Sequence, residues 1–214
     1  SYNAVLAATE YSLVTTKAAR NVIKRRAKFL SLPLSTNNGQ SMLTFDFLKM
    51  DVKKSKLTAE VIMKYLKSSS RIQIKTDAGT DLTLMKRGRM PGFFNGVTAD
   101  GGGFSSASIE VYIPVEECGT NGTMVIDGSL GYIGAAREDT RVVFKEGRIV
   151  EIEETPTGKR LKEYMEGYHD SGIYVAGELG IGLNSYSQCA GRCYIEDESA
   201  YGTFHIGLGR NIAL

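Results

Sequence analysis

Three ionisable side chains interrupt apolar, strand-like frames in the second half of a 214-residue sequence. They are Glu110 in SIEVYIPV, Glu178 in VAGELGIGLN and His205 in GTFHIGLGRN. An unpaired charge is costly to bury in such a frame, so each residue either faces water or has a partner. Glycines beside Glu178 and His205 would let backbone or ligand approach closely. Two carboxylates and an imidazole converging from separate strands offer hard and borderline donors for a divalent cation. A plainer reading stands beside this one: strand alternation turns a single Glu to solvent, and a lone His is often a satisfied core residue.

Other chemistries find less support. Cys189, Cys193 and His205 have a spacing compatible with structural zinc, yet no fourth ligand is evident. Three cysteines in all are too few for a disulfide framework, which points to a reducing, cytoplasmic setting. The glycine clusters DGGGF and GELGIG are not followed by Gly-Lys-Ser/Thr, so they are not phosphate loops, and GLGRN lacks the full dinucleotide fingerprint. Serine-type catalysis would depend on His205 or His169. His169 sits in the polar stretch EGYHDSG, and no nucleophile elbow is present.

The elements that must position these residues divide the chain. Residues 3–28 place apolar residues on a rough helical stripe, and AKFLSLPL reads as a strand ending at Pro33. Residues 39–50 and 55–68 read as helices, the second opening at Ser55, and SRIQIKTDAGTDLTLMK as a hairpin turning at 77–79. After a glycine-rich connection near residues 86–103 the texture is mostly strand, interrupted by a polar helix in GKRLKEYMEGYH. The expectation is an α+β chain: an αβα segment over 1–85 and a β-rich, metal-binding domain over 95–214.

Bulk properties exclude little. The chain is 42% hydrophobic and 23% charged, as in ordinary globular proteins. No apolar run is long enough to span a membrane, and the basic first 30 residues lack the apolar core of a signal peptide. Residues 1–107 hold 17 Lys and Arg against 7 Asp and Glu, while the remainder holds 9 against 17. The basic half lacks interleaved aromatics, so it reads as solvated helix faces rather than a nucleic-acid surface. The acidic half is the one suited to cations.

Around the three ionisable residues the sequence resembles the aminopeptidase T family of metallo-aminopeptidases, often called leucyl aminopeptidases. SLVTTKAAR, IKTDAGTDLTL, IEVYIPVEECGTNGTMVIDGSL, GELGIGLN and FHIGLGRN are similar to family segments in the same order. The resemblance implies that Glu110, Glu178 and His205 bind metal. It implies two divalent cations (zinc, cobalt or manganese), release of N-terminal residues from peptides, and a dimer or larger oligomer. Either glutamate could also move protons.

The family completes its site with a His-x-Asp pair and a Tyr seven residues after the His. Here that position is Ile212, no His-x-Asp follows, and an N-terminal αβ region is missing, so a fragment of a longer enzyme is expected. The resemblance extends to 2,5-dihydroxypyridine dioxygenases, which hold one iron through two histidines and an aspartate. Retention of both glutamates favours the dinuclear hydrolase over that rival. A third alternative is an inactive structural or interaction domain with a half-built site.

Overall fold

The computed structural model describes residues 2–98 and 103–211. It is an α+β protein, as expected. The stretch 3–28 is not one helix. Strand β1 (Ala4–Thr9) pairs in parallel with β2 (Lys28–Pro33) over six residues, and only Lys17–Lys24 coil, as α1. Thr16 fixes that helix start by accepting the Ala19 N–H (3.2 Å). The strand pairing of residues 4–9 thus overrides their helix-like spacing.

Residues 39–50 also depart from the expected helix. They form two 3-10 turns, Met42–Thr44 and Asp46–Lys49, which bury Met42, Phe45 and Phe47 in a small cluster with Cys193 and Ile195. Helix α2 (Val52–Ser68) begins earlier than Ser55, because the Asp51 carboxylate accepts the N–H groups of Lys53 (2.8 Å) and Lys54 (3.2 Å). Ser55 lies inside the helix, its hydroxyl donating to the Val52 carbonyl (2.9 Å).

The remaining elements follow the expected strand-rich pattern. They are β3 (Arg71–Lys75), β4 (Asp81–Met85), β5 (Gly92–Phe94), β6 (Gly103–Ser106), β7 (Glu110–Pro114), β8 (Asn121–Ile126), β9 (Thr140–Lys145), β10 (Arg148–Ile152), α3 (Pro156–Glu166), β11 (Ala176–Gly182), α4 (Tyr194–Ser199) and β12 (Phe204–Leu208). Two hairpins form: β3–β4, as expected, and β9–β10 turning at Glu146–Gly147.

Three sheets result, with strand orders β1-β2-β6, β10-β9-β8-β4-β3 and β12-β11-β7-β5. Strands from both sides of residues 86–103 share two of them: β4 pairs β8, and β2 pairs β6. The main core lies between the second and third sheets, where Leu82, Leu84, Val111, Ile113, Val142, Phe144 and Leu179 are nearly inaccessible. Strand alternation gives β7 and β11 one face for this core and another for chemistry. Among the described residues no helix is long and apolar enough to cross a membrane.

Candidate metal centre

The chemical face of the third sheet is set by register. In β11, Gly182 lies opposite Glu110 of β7, Gly180 opposite Tyr112, and Glu178 opposite Pro114. On the other side of β11, His205 of β12 lies opposite Gly180, and Gly207 opposite Glu178. Glu110, Tyr112, Glu178 and His205 therefore share one face, while Val111, Ile113 and Leu179 point into the core. All three ionisable residues singled out in the sequence reach the same face.

Gly180 opens the space between them. A Cβ at that position would come within 2.1 Å of the His205 imidazole and 2.6 Å of Glu110 Oε2. The glycine of GELGIG is thus required by the close approach of a carboxylate and an imidazole above it. Gly182 has a different task. A Cβ there would lie 2.1 Å from the Ala200 carbonyl, so its absence lets the end of α4 rest against β11.

Helix α4 delivers a residue that spacing did not reveal. The segment YIEDES carries three consecutive acids. Glu196 is fully buried and takes a two-pronged pair from Arg192 (2.7 Å each). Asp197 accepts the Ser129 hydroxyl (2.7 Å) and the Gly191 N–H (2.9 Å). Glu198 reaches the chemical face. One ligand atom each from Glu110, Glu198 and His205 all lie within 4.8 Å of one another, and these are the only such group among the described residues. Glu178 stands on the same face but outside that trio.

Ser108 donates to Glu110 Oε1 (3.0 Å) and orients the carboxylate. The other oxygen, Oε2, lies 3.1 Å from His205 Nε2, an ion-pair distance without the alignment of a hydrogen bond. Among the described residues Oε2 is buried with no hydrogen-bond donor, and the other imidazole nitrogen, Nδ1, is likewise buried with no partner of its own. Buried polar atoms left unpaired in this way are uncommon in folded proteins.

The crowding shows in the protonation equilibria. Burial, then the Glu110 charge, push Glu178 up to about 7, despite the opposing pull of His205. Glu198 is driven well above the usual carboxylate range by burial and by Glu110. Burial alone would lower the His205 imidazole, but the Glu110 carboxylate and then Glu198 and Glu178 outweigh it and hold it at about 9. The neighbouring Tyr112 phenol is raised to about 12 by burial and by both acidic neighbours, so it stays protonated. Like charges packed this closely oppose one another's ionisation, which makes the face a candidate for holding a cation or a proton.

The alternative metal and catalytic readings do not assemble. Cys193 is buried in the cluster with Met42 and Phe45, and Cys189 is held up at about 11 by burial and the nearby Asp197. Neither joins His205 in a ligand group among the described residues. His169 is exposed in the loop after α3 with φ 51°. Ile212, where the aminopeptidases have Tyr, lies outside the described residues.

The family model for 2,5-dihydroxypyridine 5,6-dioxygenase (NicX) matches residues 46–203, well over half of the chain. The solved 2,5-dihydroxypyridine dioxygenase of Pseudomonas putida KT2440 is similar in fold, with a TM-score of 0.74 at 18% identity. The match covers 94% of this chain and 59% of that one, so the chain spans little more than half of that enzyme's length. Wild-type AmpT from Thermus thermophilus is also similar, with a TM-score of 0.56 at 16% identity over 75% of this chain and 47% of that one. A search of curated proteins gave no match.

These findings correct the expectation of a peptide-cleaving hydrolase with a zinc, cobalt or manganese pair. The Glu…Glu…His order drew on short segments lying in a fold that both kinds of protein share, and it was weighted towards the wrong one. A match spanning most of the chain outweighs three short motifs. The chain belongs to the 2,5-dihydroxypyridine 5,6-dioxygenase (NicX) family.

Proposed function

We propose that this chain forms the metal-binding core of an iron-dependent dioxygenase that opens a dihydroxylated pyridine ring. The observation that carries the metal is the pair of orphaned buried atoms, Glu110 Oε2 and His205 Nδ1, beside Glu198. A cation at this face would compensate three crowded carboxylates and give partners to atoms that have none. The donors are oxygen and nitrogen only, which suits ferrous iron better than a thiolate-seeking metal. The nature of the ring and the use of oxygen rest on family membership.

Among the described residues Glu110, Glu198 and His205 would hold the ion, only His205 matching the two-histidine, one-aspartate set that the resemblance implies for such dioxygenases, with Ser108 keeping Glu110 in position. A ferrous ion, when bound, supplies the one-electron chemistry that lets dioxygen react with an aromatic ring. The protein supplies the rest. Glu178, raised to about 7, can take or return a proton of a ring hydroxyl near neutral pH. The apolar sheet behind these residues keeps water from that side of the site.

The test is anaerobic loading of the gene's complete product with ferrous iron, then oxygen uptake on 2,5-dihydroxypyridine. The expected result is iron bound in proportion to protein and oxygen consumed with loss of the ring. Exchange of both Glu110 and Glu198 for Gln should abolish iron retention in a folded protein. Iron uptake indifferent to that double substitution, or no oxygen consumption by the loaded protein, would sink the proposal.

A further inference from the structure

The chemical face of the third sheet continues beyond the carboxylates into aromatic rings. Register sets Phe94 of β5 opposite Glu110, and Gly92 opposite Tyr112. A Cβ on Gly92 would meet the Tyr112 ring at 2.2 Å, so the phenol occupies the space that a side chain there would fill. It stacks on Phe94 with centroids 4.4 Å apart and planes 23° apart. Phe104 of β6 closes the row edge-on, 5.5 Å from Phe94.

These rings are not core. Phe93, one residue away, packs against the main apolar cluster, whereas Phe94, Tyr112 and Phe104 belong to no buried cluster among the described residues. Phe104 is 37% exposed. The Tyr112 hydroxyl makes no hydrogen bond among the described residues. Three rings are thus placed beside an acidic, imidazole-bearing site with a free hydroxyl donor among them. Aromatic faces left partly open next to convergent polar groups are the usual composition of a pocket for a small planar ligand.

We infer that Phe94, Tyr112 and Phe104 form the wall against which a planar, hydroxylated aromatic substrate lies beside Glu110, Glu198 and His205, with the Tyr112 hydroxyl donating to a ring oxygen. The identity of the ring rests on the dioxygenase reading; its planarity rests on the wall itself. Phe94 and Phe104 supply stacking surface, and Tyr112 selects rings that carry an oxygen substituent.

The experiment is an anaerobic binding titration of 2,5-dihydroxypyridine on the iron-loaded complete protein, with a saturated dihydroxypiperidine as the non-planar control. Phe94→Leu should weaken pyridine binding about tenfold, the scale of a lost aromatic pair, and leave piperidine binding, iron content and melting temperature near wild type. Phe94→Tyr should restore affinity. In turnover, Phe94→Leu should raise KM with little change in kcat. Tyr112→Phe should weaken the hydroxylated ring but not unsubstituted pyridine. If Phe94→Leu fails to fold, Phe104→Leu at the open edge carries the same test with a smaller loss.

Wild-type affinity in a folded Phe94→Leu protein would reduce the wall to packing, and oxygen uptake by the wild type would then still support the dioxygenase reading. Phe94-dependent binding without any oxygen uptake would keep the wall and remove that reading. A wild type that binds the pyridine no better than the piperidine overturns the wall outright.

Discussion

On one face of the β12-β11-β7-β5 sheet, Val111, Ile113 and Leu179 are almost wholly removed from water and pack against the strands of the second sheet. On the other, Glu110, Tyr112, Glu178 and His205 stand on the alternate residues of the same strands. The first face contributes stability at roughly 1.5–3 kcal/mol for each fully buried aliphatic side chain. The second face opposes it: carboxylates are held near one another, two of them are driven above their ordinary range, and two buried atoms lack partners. One set of strands therefore carries both the strain of the site and the packing that holds it. A ligand-ready arrangement persists because the core behind it outweighs its cost.

The comparison is tested most severely from the core side. Ile113→Ala should lower stability by about 2–5 kcal/mol in equilibrium denaturation, while the folded fraction binds metal with wild-type affinity. If metal affinity falls and stability does not, the two faces are not separable in this way. Next comes Gly180→Ala, which puts a methyl group where the imidazole and the Glu110 carboxylate now meet. Metal affinity should fall about 10- to 100-fold with a smaller loss of stability. Unaltered metal binding would mean that Glu110 and His205 do not act together.

Glu198→Gln separates the faces by sign. Metal affinity should drop at least about tenfold. The metal-free melting temperature should rise or hold, because a carboxylate crowded by Glu110 has been neutralised. A fall in both would mark Glu198 as a structural residue.

A further test of the comparison is pH dependence. The native pKa of Glu178 is raised from 4.5 to about 7, and that of His205 from 6.5 to about 9. In both cases the native state binds the proton more tightly than the unfolded chain does. The contribution of Glu178 is complete below pH 4.5 and gone above 7. That of His205 is complete below 6.5 and gone above 9. Metal-free protein should therefore lose stability steadily from pH 5 to 9 in denaturant titrations, and Glu178→Gln should flatten the acidic part of that decline. Stability that rises over this interval would contradict the crowding described for the site.

Much of the chemical face was legible beforehand because it breaks a pattern. Glu110, Glu178 and His205 each interrupt an apolar alternation, and β7, β11 and β12 form around them. The hairpins were readable for the same reason, from alternation and a turn. Glu198 was not. Helix α4 has six residues, too short to show a helical period, and its three adjacent acids are indistinguishable as letters. Arg192 takes Glu196, Ser129 and Gly191 take Asp197, and only then is Glu198 left for the site. The aromatic wall was equally hidden, since Phe94 and Phe104 lie in a glycine-rich stretch read as a connection.

The strand residues that face chemistry and those that face core were determined by the sequence itself, since a period of two commits alternate side chains to opposite sides. The strand at residues 4–9 was decided by the tertiary structure, which supplied β2 as a parallel partner against a helix-like spacing. The approach of α4 over Gly182 was decided there too, and with it the place of Glu198 beside Glu110 and His205. The physical reason is common to both cases. Alternation is a property of neighbouring residues, whereas a ligand group and a strand pair depend on distances between residues far apart in the chain. Those distances are set when the sheets close on their core.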